Sequence, residues 1–415
     1  MTRAEYSLFD KNTRAIIFGY QQNAIQRMFD FDYACRREKP SVACIVNPTR
    51  GGLHKCFWGV TEVMVPMYKT IKEAVEKHPD ADVMVNFASF RSAYQTSKEA
   101  LESDTIRTVA IIAEGMPEQR AKQLIKIADE KNKWIIGPAT VGGIAGGAFK
   151  IGNTAGTLDN IIVSRLHRPG SVAYVSKSGG LSNELNNIIA LNTDGVYEGV
   201  ALGGDRYPGT TFIQHMLRYE ENPEIKMIVL LGEVGGIDEY AVIEAMKQGK
   251  ITKPIVAWCI GTCSKVFPAE VQFGHAGARA GGDKETADSK NKALKEAGAI
   301  VPDSFDDFDK KIKETYNLLV EEGKLIPKPD VTPPNIPLDH KIALSEGSVR
   351  RPTQFISTIS DDRGDELTYC GVPISKVIED EYGLGEVIGL LWFKKKLPKW
   401  AAKFLDMAVL ITAGP

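Results

Sequence analysis

Strand-length runs of continuous apolar residues, separated by helical patterns, constrain this chain more than any other feature. In the first part they occupy residues 14–19, 41–46, 82–87, 107–113 and 134–136. Helix-compatible segments lie between them at 21–29, 68–77, 92–101 and 117–131. A strand without polar alternation is covered on both faces, and strands alternating with amphipathic helices form parallel sheets. This predicts a doubly wound, Rossmann-like domain over residues 1–140. A second series, with strands at 171–175, 197–201, 226–231 and 254–260 and helices at 180–190, 238–248 and 284–297, predicts another α/β domain over 141–325. The glycine-rich stretch 137–160 between the two series reads as an interdomain crossing.

After the second series the chain changes character. Pro327, Pro329, Pro333, Pro334 and Pro337 cannot sustain a helix or a central strand, so 326–355 reads as a linker. A short charged stretch follows at 357–366. In 399–412 the residues Trp400, Phe404, Met407, Ala408 and Ile411 fall at helical spacing, and 387–393 is strongly apolar. The segment 356–415 therefore reads as a helical stalk, serving self-association or packing as a small subdomain on its own chain.

Composition narrows the function. Among 415 residues the net charge is −2, so no basic surplus points to nucleic acid. Six scattered cysteines make no disulfide framework, and Cys259 and Cys263 lack further ligands for a metal. Residues 1–10 carry no apolar signal core, and the run 387–393 is far too short to span a bilayer. The expectation is a cytoplasmic protein with no metal, membrane or nucleic-acid partner.

Chemistry-bearing residues fall at the carboxyl ends of the expected strands, where α/β sheets bind ligands. In the first domain these ends read Gly19-Tyr20-Gln21-Gln22, Asn47-Pro48-Thr49-Arg50-Gly51-Gly52, Ala88-Ser89-Phe90-Arg91 and Glu114-Gly115. The dinucleotide fingerprint G-x-G-x-x-G is absent. Arg50 and Arg91 suit phosphates, although polar loops occur in any such fold. In the second domain a strand runs into Ser176-Lys177-Ser178-Gly179-Gly180, the layout that presents a helix N-terminus to an anion. Ser178 is equally the residue type of a plain N-cap. Glu233 ends a buried strand between glycines. There it serves either to hold an imidazole or to complement a helix dipole. His275 lies between glycines in Gln272-Phe273-Gly274-His275-Ala276-Gly277-Ala278, on the loop after the next strand. An imidazole there is a candidate phosphoryl acceptor or a structural turn residue.

Taken in order over residues 10–325, these motifs resemble the alpha subunit of succinyl-CoA synthetase and, more tightly, the matching section of ATP-citrate lyase. The resemblance rests on Asn86 to Tyr94, Gly137 to Ile144, Ser176 to Glu184, Gly203 to Gly209, Gly232 to Gly236 and Phe273 to Ala278. Thr193 to Val200 favours the lyase, and Pro373 to Pro398 resembles the entry into its citrate-synthase-like module.

The fold class this resemblance implies is α/β: a Rossmann-like CoA-binding domain, a flavodoxin-like α/β domain bearing the phosphohistidine, then a mostly helical stalk. It also implies a chemistry. An ATP-grasp beta-type subunit binds Mg-ATP, His275 becomes phosphohistidine, and Glu233 orients it. Ser178, Gly179 and Gly180 receive phosphate or citrate. CoA binds near Gly19, Asn47, Arg50, Phe87, Ala88, Ser89, Arg91, Ala113 and Glu114. Self-association through a tetrameric core is implied as well. The expected product is citryl-CoA. A citryl-CoA or succinyl-CoA synthetase alpha subunit would share the chemistry. The chain reads Thr412-Ala413-Gly414-Pro415 where the lyase continues with an Asp-His pair, so cleavage of citryl-CoA is not expected of this chain.

Overall fold

The computed structural model describes residues 8–266, 271–338, 340–347, 360–361 and 366–413. Most of the charged stretch 357–366, the boundary expected at 355/356 and the last two residues lie outside this set. The chain divides into two compact units after Pro337.

The first sheet is built from β1 (Ala15–Phe18), α1 (Gln22–Ala34), β2 (Val42–Val46), β3 (Gly52–Trp58), β4 (Thr61–Tyr68), α2 (Ile71–Lys77), β5 (Val83–Asn86), α3 (Phe90–Glu102), β6 (Thr108–Ile111), α4 (Glu118–Glu130) and β7 (Trp134–Ile136). Its order is β3-β4-β2-β1-β5-β6-β7. Every residue of β1, β2, β5, β6 and β7 is buried, which accounts for their unbroken apolar sequences. The chain leaves β1 in one direction and later returns to its other side at β5, a topological switch point. Gly19 follows β1 there, and Phe87 follows β5; a Cβ on Gly19 would stand 3.1 Å from the Cβ of Phe87.

The stretch between β2 and α2 is an antiparallel hairpin, β3–β4, where the sequence reading placed no strand and began a helix at 68. Trp58 pairs with Thr61 across the two-residue turn Gly59-Val60, and Gly59 has φ +57°. Glycine at the first turn position is the requirement of a type II′ hairpin. The signal was hidden because the hairpin is half exposed, with Leu53, Phe57 and Met64 on its open face.

The second sheet contains β8 (Gly143–Ala145), β9 (Phe149–Lys150), α5 (Leu158–Val163), β10 (Val172–Ser176), α6 (Gly179–Asn192), β11 (Val196–Ala201), α7 (Phe212–Glu221), β12 (Met227–Glu233), α8 (Asp238–Lys247), β13 (Ile255–Ile260), α9 (Ala287–Glu296) and α10 (Phe308–Glu321). Its order is β13-β12-β10-β11-β8-β9. The four long strands are parallel and follow the 2-1-3-4 winding of flavodoxin-like sheets. The glycine-rich stretch expected as a crossing instead supplies β8 and β9, which extend this sheet antiparallel beside β11. One continuous hydrophobic cluster runs from the first sheet into the second.

The proline-rich segment is not a free tether over its first residues. Lys328 N–H donates to Asp194 (3.1 Å), His167 Nε2 meets Val331 O at 2.6 Å, Arg168 pairs with Asp330 at 2.8 Å, and Arg36 donates to Thr332 O (3.2 Å). Prolines exclude regular structure but still allow an extended strap to be pinned by its neighbours' polar groups.

The second unit holds α11 (His340–Ser345), β14 (Ser360–Asp361), β15 (Thr368–Tyr369), β16 (Val372–Pro373), α12 (Ile374–Glu379), α13 (Leu384–Phe393) and α14 (Lys399–Thr412). Helices α13 and α14 pack closely because Gly385 leaves room for Ala402, while the Gly385 N–H donates to Asp406 at 2.7 Å. The apolar residues Trp392, Trp400, Phe404, Leu410 and Ile411 remain exposed. Among the described residues no helix is long and apolar enough to cross a membrane.

Within the second sheet Gly199 lies opposite Tyr174, whose fully buried ring fills the space a Cβ would need. Gly199→Ala is therefore expected to destabilise the chain by on the order of 1–3 kcal/mol through overpacking. Urea unfolding checks this; an unchanged midpoint would mean that the ring relaxes without cost.

Candidate active site

The structure brings His275 and Glu233 together. Glu233 is the last residue of β12, which lies between β13 and β10 in the second sheet, and is only 3% exposed. His275 sits at the tip of a tight turn: its N–H donates to Phe273 O (2.8 Å), and Ala278 N–H donates back to His275 O (3.1 Å). Gly274 allows this turn with φ +73°. Gly277 N–H donates to Gly204 O (3.0 Å), fastening the turn to the loop after β11. Gly204 has no side chain for a steric reason: a Cβ there would overlap the His275 ring.

The imidazole Nδ1 stands 2.8 Å from Glu233 Oε2, and its side chain keeps 30% exposure. A carboxylate only accepts, so Nδ1 carries the proton and Nε2 bears the lone pair of the neutral ring. The hydrogen bond to Glu233 raises the His275 pKa above its ordinary value, against the opposing effect of partial burial. The charges of Glu233 and Glu114 push in the same direction, and Lys177 opposes them. The second carboxylate oxygen, Glu233 Oε1, is buried with no hydrogen-bond partner.

Beside this pair opens a cleft of about 1120 Å³, lined by Glu233, Lys177, Arg206, Gly236, Thr211 and Glu118 among others. Lys177 is 7% exposed and lies 3.8 Å from Asp238. Just beyond it α6 begins. The Ser178 hydroxyl accepts from Leu181 N–H at 3.4 Å, so this serine acts as an N-cap. Gly179 is packed against Val141, whereas Gly180 is exposed with open space where a Cβ would be. The cap leaves other N–H groups of the first turn directed outward, where the helix dipole favours an anion.

The residues expected at the first domain's strand ends gather along one edge of the seven-stranded sheet. Asn47 accepts from the Thr49 hydroxyl at 2.9 Å and shapes the Pro48–Arg50 turn. Arg50 is exposed on this turn. Ala88 N–H donates to the buried Asn86 (2.9 Å), fixing the loop that leads to Ser89 and α3. Arg91 stacks over Phe90 with its guanidinium carbon 5.6 Å from the ring centre. The N-termini of α1 and α3 have no side-chain cap, which leaves backbone donors along this edge. Ala113 O accepts from Ala139 N–H (2.8 Å), and Glu114 is exposed.

Several contributing residues escaped sequence reading. Asp205, 8% exposed, faces the backbone N–H groups of Gly115 and Met116, which sets the loop after β6 beside the Gly204 loop under His275. Burial raises its carboxyl pKa despite those donors. Lys290 and Glu239, on α9 and α8, form a buried ion pair at 2.7 Å behind Glu233. Polar residues on otherwise amphipathic helices carry no marker of such a role. A fully buried lysine was detectable only from the fold.

Known proteins resemble this chain. The family of the CoA binding domain matches residues 10–115, and the CoA-ligase family matches residues 175–300. The chain is 58% identical to the probable ATP-citrate synthase subunit 1 of Schizosaccharomyces pombe, over 100% of this chain and 68% of that protein. It is 55% identical to the ATP-citrate synthase of Homo sapiens, over 99% of this chain and 37% of that protein. A solved structure of ATP citrate lyase from Methanothrix soehngenii, in complex with citrate and coenzyme A, superposes with a TM-score of 0.84 at 56% identity, covering 99% of this chain and 67% of that one.

Replacing Glu233 by Gln removes the carboxylate while keeping a side chain of similar size. The His275 pKa is expected to fall toward the ordinary histidine range in Glu233→Gln. A titration of the ring resonances by NMR checks this on the isolated chain; an unchanged pKa would contradict the assigned hydrogen bond.

Proposed function

The chain belongs to the ATP-citrate synthase family, and from that premise we propose that it is the CoA-binding, phosphohistidine-bearing part of an enzyme that makes citryl-CoA. The observation that carries this reading is the His275–Glu233 hydrogen bond of 2.8 Å, beside a cleft of about 1120 Å³ that Glu233, Ala276 and Gly277 line. A histidine held through Nδ1, partly exposed, with Nε2 bearing the lone pair, is a nucleophile ready for a phosphoryl group.

The steps follow from these groups. Nε2 attacks the γ-phosphorus of Mg-ATP presented by an ATP-grasp partner. The N–P bond forms as the bond to ADP breaks. Glu233 stabilises the cationic ring by accepting from Nδ1–H. A citrate carboxylate oxygen then attacks phosphorus, releasing His275 and giving citryl phosphate. The CoA thiol displaces phosphate from that anhydride, forming the thioester. Phosphoryl transfer needs mainly position and charge stabilisation, which the fixed ring, Lys177 and the α6 N-terminus supply.

CoA fits the edge of the first sheet. The backbone donors at the α1 and α3 N-termini, with Arg50 and Arg91, suit its phosphates, and the loops carrying Gly19, Phe87, Ala88 and Glu114 flank that edge. The ATP-grasp partner is supported by the relatives' lengths. One is a subunit 1 of which the chain spans 68%, and another is a longer chain of which it spans 37%. The apolar surface of α13 and α14, with Trp400 77% exposed, supports self-association into a tetrameric core. The reaction belongs in the cytoplasm, the compartment expected from the sequence.

Incubation with the partner and γ-labelled Mg-ATP should label the chain in an acid-labile bond, and His275→Ala should abolish the label. Citrate plus CoA should discharge it. Discharge by succinate would move the assignment to succinyl-CoA synthetase, and no label with bound partner would overturn the reading. Labelling should accelerate as pH rises through the raised His275 pKa, because only the neutral ring attacks. In Glu233→Gln this rise should move to lower pH and the plateau should fall by on the order of 100-fold. Arg50→Ala and Arg91→Ala should each weaken CoA binding roughly tenfold, the worth of one contact of about 1.4 kcal/mol. Calorimetry measures this, and unchanged affinity in both would remove them from the CoA site.

A further inference from the structure

We infer that the buried pair Lys290–Glu239 is a positioning device for the nucleophile: it clamps both backbone groups of Glu233 and so aims that carboxylate at His275. This deepens the reading above and rests on it for the catalytic consequence. The geometry itself stands independently.

The Lys290 side chain is fully buried and that of Glu239 is 3% exposed. Lys290 Nζ donates to Glu233 O at 2.8 Å and to Gly235 O at 2.6 Å, and it pairs with Glu239 Oε2 at 2.7 Å. Glu239 Oε1 accepts from Glu233 N–H at 3.3 Å. One ion pair therefore holds the carbonyl and the amide of the residue whose side chain holds His275. A primary ammonium has three protons to donate, and here three acceptors meet it.

The strand makes room for this device. A Cβ on Gly232 would stand 2.5 Å from Glu239 Oε1 and 2.7 Å from Cys259 Sγ. No positive φ is involved, so the absence of a side chain at Gly232 serves space. The neighbouring residue of α9, Asn291, makes the corresponding clasp on β13: it accepts from Cys259 N–H at 2.7 Å and donates to Cys259 O at 3.0 Å. Two consecutive side chains of one helix thus fix the ends of the two strands that precede the Glu233 and His275 loops. A buried ion pair is seldom a net source of stability compared with apolar packing. Its presence here is accounted for by what it holds.

The charged groups facing His275 are Glu233 from β12, Glu114 from the loop after β6 and Lys177 from the loop after β10. Those facing the pair include Glu233, Lys177 and the Cys259 thiol. The double replacement Lys290→Met with Glu239→Gln leaves the net charge near Glu233 unchanged and strands no buried charge. Gly232→Ala displaces the Glu239 carboxylate by bulk alone and leaves every charge in place.

In both variants the NMR titration of His275 in the full chain should move toward the Glu233→Gln value. Their labelling with the partner should slow by tenfold or more at saturating ATP, with little change in KM. Thermal unfolding monitored alongside shows whether each variant remains folded. A His275 pKa equal to wild type in either folded variant would overturn the inference, even if labelling of His275 proceeds. Should His275→Ala still take up label, the functional reading fails while the pKa comparison continues to decide the positioning role. If the double variant does not fold, Gly232→Ala alone decides it, and Cys259→Ala, made in the Gly232→Ala background to relieve the 2.7 Å overlap, keeps that variant folded for the same titration.

Discussion

The hydrogen bond between His275 Nδ1 and Glu233 Oε2 is the interaction on which the rest of the site depends. It decides which ring nitrogen holds the proton, and therefore which one is left to react. Its two members arrive from different strands of one parallel sheet. Glu233 is the last residue of β12, and His275 is on the loop that follows β13. Parallel strands all present their carboxyl ends at the same edge, so residues far apart in sequence meet there without any special device. The glycines around them serve this meeting. Gly204 lets the ring lie against backbone, and Gly235 lets the loop after β12 approach Gly277 O and Arg279.

Much of the architecture was legible because burial leaves a plain mark. Strands such as β1, β2 and β12, buried along their whole length, read as unbroken apolar runs. The elements that escaped notice are those whose burial is partial or borrowed. The hairpin β3–β4 is half exposed, and its Gly59-Val60 turn lies inside a mixed sequence. Strands β8 and β9 are short and glycine-rich, and their place in the sheet comes from pairing with β11 far along the chain. Prolines at 327–337 correctly exclude helix, yet they say nothing of the polar contacts that fasten 328–332 to the surface of the α/β unit.

The chemistry-bearing residues were legible to a different degree. His275, Glu233 and Ser178 stand in glycine-rich stretches at strand ends and loops, where side chains with reactive groups are conspicuous. At Glu233 the structure shows a hydrogen bond to the imidazole at 2.8 Å. At Ser178 it shows the N-cap hydrogen bond, with the open position at Gly180 beside it. The residues that support them were not legible. Lys290, Glu239 and Asp205 act through burial, and burial of a charged side chain is set by tertiary packing rather than by local pattern.

The most direct test of the account concerns the atom that carries the phosphoryl group. The proposed attack runs through Nε2, since Nδ1 is engaged by Glu233. Phosphorus and nitrogen NMR on the chain phosphorylated by its partner, with ring-labelled histidine, distinguishes the two nitrogens. The account predicts a single phosphohistidine at position 275 bonded through Nε2, with Nδ1 still protonated. A phosphoryl group on Nδ1, or on a residue other than His275, would contradict it.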